Sequence, residues 1–207
     1  MSHQYYQDSS KIFFISDTHF GHENIIKYCN RPFKNTLEMR EELILRWNKK
    51  VPPDATVFHM GDFAFADKME VADILNRLNG RIILIRGNHD AEHKKDRFQW
   101  LHLFEEVHNL LTITILDKNR KITLCHYPLM VWDGNMHGSW MLHGHCHGTL
   151  RGAKGKILDV GIDCHPRYEP YSYAEVNKLM DMRSEVIVDG HGQISDYGRP
   201  TKYEDIQ

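Results

Sequence analysis

Five short apolar runs in this chain stop on side chains that a core strand should avoid. IFFIS, Ile12 to Ser16, passes straight into Asp17 and His19 with no turn residue between. ATVFHM leads to Gly61-Asp62, and RIILIR to Gly87-Asn88-His89-Asp90. KITLC ends at His126, and SWMLH runs into Gly144-His145-Cys146-His147. A buried carboxylate or imidazole without a partner costs several kcal/mol. Any fold of this chain must therefore bring these strand ends to something that compensates them.

The intervening segments indicate how. TLEMREELILRWNKK puts Leu37, Leu43, Ile44 and Trp47 on one helical stripe, with Asn35 as N-cap, Glu38 three residues on and Pro52-Pro53 as the stop. DKMEVADILNRLNG repeats the spacing with Val71, Ile74, Leu75 and Leu78, and Gly80 ends it. LLTITILDKNRKITLCHYP reads as a hairpin turning between Asp117 and Arg120. KILDVGID is a further short strand, SYAEVNKLM a helix opened by a Ser172/Glu175 capping box, and EVIVDGHGQI a closing strand or hairpin. Strands and helices alternate first, and strands dominate later. That order predicts βαβ units followed by antiparallel pairing, in one or two mixed sheets covered by helices. No repeat or linker divides the chain, so residues 1–207 read as a single domain. Its core runs from about 11 to 180, with a strand or hairpin and a tail over 181–207.

Composition removes several function classes. A formal net charge of −2 gives no general attraction to long nucleic acid or to an anionic membrane. No apolar run approaches the ~20 residues that span a bilayer. The N-terminal MSHQYYQDSSK lacks an apolar signal core, so a cytoplasmic protein is expected. The four cysteines form no CxxC pair, which excludes a zinc-finger reading and fits reduced thiols. Fifteen histidines are unusual, and their positions carry the argument.

In open α/β sheets, ligands bind beyond the carboxyl ends of the strands. Asp17, His19, Asp62, Asn88, His89, His126, His145 and His147 all stand there. One zinc ion takes about three or four protein ligands, so the set suits two metals sharing a bridging carboxylate. Mixed oxygen and imidazole donors fit Mn²⁺, Fe or Zn²⁺ better than Ca²⁺ or Mg²⁺. The absence of a thiolate from the set argues against a structural zinc. Gly61, Gly87 and Gly144, beside the candidate ligands, permit tight turns and close approach.

Taken in order, D-x-H, G-D, G-N-H-D, H and G-H-x-H resemble the motifs of the calcineurin-like metallophosphoesterase superfamily. The resemblance runs from Asp17 to His147 and implies a four-layer α/β/β/α sandwich of two mixed sheets, with two divalent metal ions at one edge. It implies that Asp17, His19, Asp62 and His147 hold one ion and that Asp62, Asn88, His126 and His145 hold the other, Asp62 bridging. His89 would then serve as acid or charge stabiliser, with Asp90 orienting it. An Asx turn is the alternative for Asp90. Phe63-Ala64-Phe65 departs from the pattern, since many members carry a further polar residue there.

Other segments stay open between two readings. His22 and Asn24 could touch substrate phosphate, or Asn24 could cap the helix IIKYCN. VWDGNMHGSW, residues 131–140, could wall a pocket, its tryptophans packing or stacking on a base. RGAKGK, residues 151–156, could contact phosphate or form a solvated hairpin tip. His165 is a candidate for support of the site. The expected activity is hydrolysis of a phosphodiester or small phosphomonoester, with a small phosphorylated molecule as the partner. A nuclease acting on nucleic-acid ends is the second enzyme reading. A non-catalytic scaffold would be expected to lack ligands that this chain keeps. Only short segments separate the motifs, so no cap domain is expected over the site.

Overall fold

The computed structural model describes residues 2–90 and 100–183. The first half contains β1 (Ser2–Tyr6), β2 (Ile12–Ile15), α1 (Glu23–Tyr28), α2 (Thr36–Lys50), β3 (Thr56–His59), α3 (Lys68–Arg77) and β4 (Arg81–Ile85). The second contains β5 (Glu106–His108), β6 (Leu110–Ile115), β7 (Arg120–Cys125), β8 (Trp140–His143), β9 (Ile157–Asp159), β10 (Tyr171–Ser172) and α4 (Tyr173–Asp181). The helix ends follow their sequence signals. Asn35 accepts from the Glu38 amide to cap α2, and Ser172 and Glu175 form a reciprocal capping box on α4. The α3 cap is Asp67, and Gly80 beyond its end takes a left-handed φ of +88°.

Two five-stranded mixed sheets result. One has the order β10-β2-β3-β4-β5, with β2 to β5 parallel and β10 antiparallel. The other has the order β1-β6-β7-β8-β9, with only the β6–β7 hairpin antiparallel. Side chains alternate across each strand. Phe13, Ile15, Val57, Ile82 and Leu84 face the helical side with Leu43, Trp47, Val71 and Ile74. Ile12, Phe14, Phe58, Ile83 and Ile85 face the other sheet, meeting Leu111, Ile113, Ile122, Leu124 and Leu142. Strands buried on both faces must be apolar throughout, which explains why IFFI, TVFH and RIILI show no polar alternation. Val176 and Met180 bring α4 into the same inter-sheet core. The two mixed sheets and flanking helices are the α/β sandwich expected from the sequence.

Three local differences have physical reasons. β1 was not expected, because SHQYY is polar; it is an edge strand, pairing parallel with β6 from Ser2↔Leu111 to Tyr6↔Ile115, and Tyr5 remains 66% exposed. The ordered sheet therefore starts before residue 11. β5 is three residues long with a half-buried pattern, too short for periodicity to reveal. After the β6–β7 hairpin, β7–β8 and β8–β9 pair parallel rather than antiparallel, since residues 126–139 and 144–156 give each a crossover connection; the closing strand expected over 185–194 lies outside the described residues, and Leu101–Leu103 is a single 3₁₀ turn.

Phe58 ties these layers together. It is fully buried, stacks on Phe14 at 5.8 Å and meets Tyr6 of β1 edge-on at 5.2 Å. Phe58→Ala should cost about 3–5 kcal/mol, measured by urea unfolding of the metal-free protein; a loss below 1 kcal/mol would mean the inter-sheet core does not depend on this ring.

Candidate metal centre

β2, β3 and β4 are parallel, so their carboxyl ends share one edge. There the two sheets are stitched together. The Ser16 amide donates to Val160 O at 3.1 Å and the Ile162 amide to Ser16 O at 2.9 Å, a parallel bridge between Ser16 and Gly161. Past the strand ends, Asp17 N donates to Gly61 O at 2.9 Å and His19 N to Asp62 O at 3.0 Å. The turns that carry the polar residues thus remain paired with one another.

Their backbone is strained. Asp17, His19, Asp62, His145 and His147 have φ between 47° and 68°, five of the eight non-glycine residues in the left-handed region among the described residues. Each such residue costs on the order of 1 kcal/mol or more and persists only where its surroundings enforce it. Three devices do so. Asp90 accepts from the amides of Asp62 (2.7 Å), Gly87 (2.8 Å) and Phe63 (3.0 Å). The buried Arg31 donates to the carbonyls of Asp17 (2.7 Å) and Thr18 (2.8 Å). His59 accepts from Gly61 N at 3.2 Å and donates to Thr18 Oγ1 at 2.9 Å, and Thr18 donates to Phe63 O at 2.8 Å. Close approach also requires glycine: a Cβ at Gly87 would stand 2.6 Å from Asp62 N, and one at Gly144 2.6 Å from Ser16 Cβ.

The side chains fall into two groups. Asp17, His19 and His147 present donor atoms within 4.8 Å of one another, and so do Asp62, His126 and His145. Asp62 Oδ2 lies 3.6 Å from His19 Nε2 and 3.6 Å from His126 Nε2, between the groups. Asn88 Oδ1 joins the second group, 2.9 Å from His126 Nε2 and 3.0 Å from His145 Nδ1. The carboxylates are held from behind: Asp62 Oδ1 accepts from His89 N at 2.8 Å, and Asp17 Oδ2 accepts from His145 N at 3.0 Å.

Burial and close polar neighbours set the electrostatics of both groups. Burial drives His19 well below the usual histidine range and His126 to about 4, so both present lone pairs. Burial also raises Asp17 well above the usual carboxylate range, and raises Asp62. At His147, burial pulls downward, but the hydrogen bond to Asp163 and nearby anionic groups outweigh it and push its pKa to about 10. Both ring nitrogens of His19 are buried without a hydrogen-bond partner. His126 Nδ1 must carry its proton, since it meets the Met60 carbonyl at 2.7 Å. Its Nε2 lone pair then points at the Asn88 carbonyl oxygen, two acceptors with no proton between them. Orphaned nitrogens and converging acceptors are the donor set of a metal site.

His89 lies at the open side, its side chain 37% exposed and its Nε2 3.9 Å from Asp62 Oδ2. Asp90 does not fit the orienting role: both of its oxygens are taken by the three backbone amides, and it shapes the turn. Asn24 is exposed inside α1, whose N-cap is His22, so it does not cap that helix. His22 lies near the first group, 5.6 Å from the His19 ring and 4.1 Å from Phe65. Trp132 and Trp140 are packing residues; Trp140 stacks on Tyr173 at 5.4 Å and Trp132 donates to Ser139 O. His165 is buried with Lys50, Glu169 and Glu175, apart from both groups. Residues 151–154 are exposed.

Two contributors were not singled out from the sequence. Asp163 Oδ2 accepts from His147 Nδ1 at 2.7 Å. A carboxylate just past the apolar run of β9, it carried the same signal as Asp17 and Asp62. Arg31, in the loop after α1, carried none.

Residues 10–204 match the calcineurin-like phosphoesterase family, and the chain belongs to it. Metal-dependent hydrolysis of a phosphoester is the chemistry of that family. The chain is similar to the uncharacterized protein MJ1445 of Methanocaldococcus jannaschii, 35% identical over 83% of this chain and 92% of that one. It is also similar to the Gene 66 protein of Mycobacterium phage L5, 25% identical over 76% and 89% of the two chains. Among solved structures it resembles the protein AQ665 of Aquifex aeolicus, with a TM-score of 0.62, 28% identity, and coverage of 81% of this chain and 98% of that one. No helix among the described residues is long and apolar enough to cross a membrane.

Two outcomes follow from this geometry. Asp90→Asn should lower the stability of the metal-free protein by about 1–3 kcal/mol, read as a fall in Tm; an unchanged Tm with reduced turnover would restore the orienting role. The second concerns acid. Burial pushes His59 to about 3, whereas an unfolded chain titrates near 6.5. Below about pH 6.5 the unfolded state takes up a proton that the folded state refuses until about pH 3, so this contribution is silent above that range and destabilises as pH falls through it. Urea unfolding of the metal-free protein between pH 7.5 and 4.5 should show falling stability, and His59→Asn, whose Oδ1 can replace Nδ1 as acceptor, should flatten the slope. An unaltered slope would assign the effect to other groups.

Proposed function

We propose that this protein hydrolyses a phosphodiester or small, exposed phosphomonoester at a dinuclear metal centre, with Mn²⁺, Fe or Zn²⁺ as the ions. The observation that carries this reading is the position of Asp62, one carboxylate oxygen equidistant at 3.6 Å from an imidazole of each donor group. Asp17, His19, Asp62 and His147 would hold one ion, and Asp62, Asn88, His126 and His145 the other. Such a pair, when bound, supplies an activated water near neutral pH and draws charge from the phosphate oxygens.

The chain's own residues do the rest. The Asp90 clamp and the paired turns fix the donors, so little reorganisation remains when substrate arrives. Among the described residues the His89 ring is free of hydrogen bonds, and its backbone amide is anchored on Asp62. The ring is therefore free to give a proton to the leaving oxygen or to stabilise charge on the phosphoryl group, a role typically worth ~10²–10⁴-fold. His145 and Tyr127 are exposed beside one another, their rings 4.8 Å apart. Net charge disfavours a long polyanion as substrate.

His89→Ala should retain two ions per chain and nearly wild-type Tm, while kcat on bis(p-nitrophenyl) phosphate falls by about 10²-fold or more. The loss should shrink as the leaving group becomes more acidic. Asn88→Ala should instead weaken occupancy of one ion. Elemental analysis, melting and turnover on the same preparations decide it: full activity of His89→Ala would remove this residue from the mechanism, and one ion only at saturating Mn²⁺ in the wild type would remove the dinuclear reading.

A further inference from the structure

The role proposed for His89 needs a ring held in one orientation, and Asp90 does not hold it. Among the described residues no hydrogen bond reaches either ring nitrogen; only the backbone amide is anchored, on Asp62 Oδ1 at 2.8 Å. A side chain 37% exposed, with two rotatable bonds, samples several rotamers unless something restrains it. The restraint has to come from ring contacts.

His89 makes two of them. Its ring centroid lies 4.8 Å from that of Phe65, at an interplanar angle of 49°, and 5.7 Å from that of His19, edge-on at 64°. His19 is a proposed ion ligand. Phe65 is not, and its ring stands on a tightly fixed backbone. The Phe65 amide donates to Phe20 O at 2.7 Å, and the neighbouring Ala64 forms a parallel bridge with Phe20. The Phe65 carbonyl lies so close to Gly21 that a Cβ there would stand 2.9 Å from it. Phe65 is thus pinned to the turn that follows His19, while its ring meets the turn that carries His89. The same ring meets His22 at 4.1 Å and His19 at 5.5 Å. It packs against three imidazoles, from a segment, Phe63 to Ala66, that carries no polar side chain.

This contact differs chemically from a carboxylate. A carboxylate orients an imidazole by accepting from one of its nitrogens, and that nitrogen is then closed to the substrate. An aromatic neighbour orients the ring by offset or edge contact, a preference that biases a rotamer ~2–10-fold, and it leaves both nitrogens open.

We propose that Phe65 orients the His89 ring, in place of Asp90. Phe65 is a positioning residue: it has no group that can bind an ion or carry a proton, and it acts through the imidazole. The inference rests on the role proposed for His89, but the contact itself is tested without turnover.

In the Zn²⁺-loaded wild type, a ring-to-ring nuclear Overhauser effect should connect Phe65 with the His89 resonance, which is identified by its loss in His89→Ala. That resonance should move in Phe65→Leu and return toward its wild-type position in Phe65→Tyr, which keeps the ring. Phe65→Leu should hold two ions per chain and lower kcat on a phenyl phosphodiester about 3–10-fold. The loss should be smaller on bis(p-nitrophenyl) phosphate, whose more acidic leaving group has less need of a proton. Phe65→Tyr should regain most of the loss. Phe65→Leu combined with His89→Ala should be no slower than His89→Ala alone. A residue serving folding alone would instead lower Tm, slow all leaving groups alike and multiply with His89→Ala, and that outcome overturns the proposal. So does absence of the Overhauser effect in the wild type, a measurement that needs no variant to fold. Full turnover by His89→Ala, with the Overhauser effect present, would instead defeat the role proposed for His89 and leave the orienting contact standing.

Discussion

A carboxylate placed between two sets of imidazoles governs this structure. Asp62 is buried, raised in pKa by that burial, and faces His19 on one side and His126 on the other. In a metal-free interior the arrangement is unfavourable, because buried acceptors converge without protons or cations to share. Much of the surrounding chain exists to hold it. The sheets meet at Ser16–Gly161, the β2 and β3 turns bond to each other, and Asp90 gathers three amides beneath Asp62. Rigidity and electrostatic frustration are therefore properties of the same few residues.

The strained backbone follows from the same requirement. A side chain leaving the last residue of a strand points to one face of the sheet or the other. To aim two donor side chains from one strand end toward a common point, as Asp17 and His19 do, the chain must leave extended geometry at once. Left-handed φ at Asp17, His19, Asp62, His145 and His147 is how it does so. The cost is local, and the apolar strands immediately before those residues, buried on both faces, keep the turns from relaxing.

Much of this was legible in the sequence because strand ends are loud signals. IFFIS-Asp17, Gly61-Asp62 and Gly144-His145 combine an apolar run with a residue that cannot stay there uncompensated. Helix caps at Asn35 and Ser172 were legible for a similar reason: capping chemistry is local. What escaped was non-local. Arg31 acts on Asp163 across 132 positions, and nothing around Arg31 announces it. β1 is held to β6 by backbone pairing that almost any sequence can make, so SHQYY gave no apolar cue. Asp90 sits beside His89 in sequence, and adjacency suggested a partnership that the turn geometry denies; the carboxylate turns inward to the amides. Asn24 was misplaced by two positions at a helix start, where boundaries are set by the chain's exit from the preceding turn.

The placement of β1 has a consequence for how the chain is made. Residues 2–6 leave the ribosome more than a hundred positions ahead of their partner, residues 110–115. Until then the segment has nowhere to dock, and closing so long a loop carries an entropic cost that shorter-range pairings avoid. A strongly apolar segment in that position would spend synthesis searching for other exposed strands. SHQYY, polar and bearing a histidine and two tyrosines, can wait in water. Once paired, it also forms the outer rim of the second sheet, where the same polarity discourages another molecule from adding a strand.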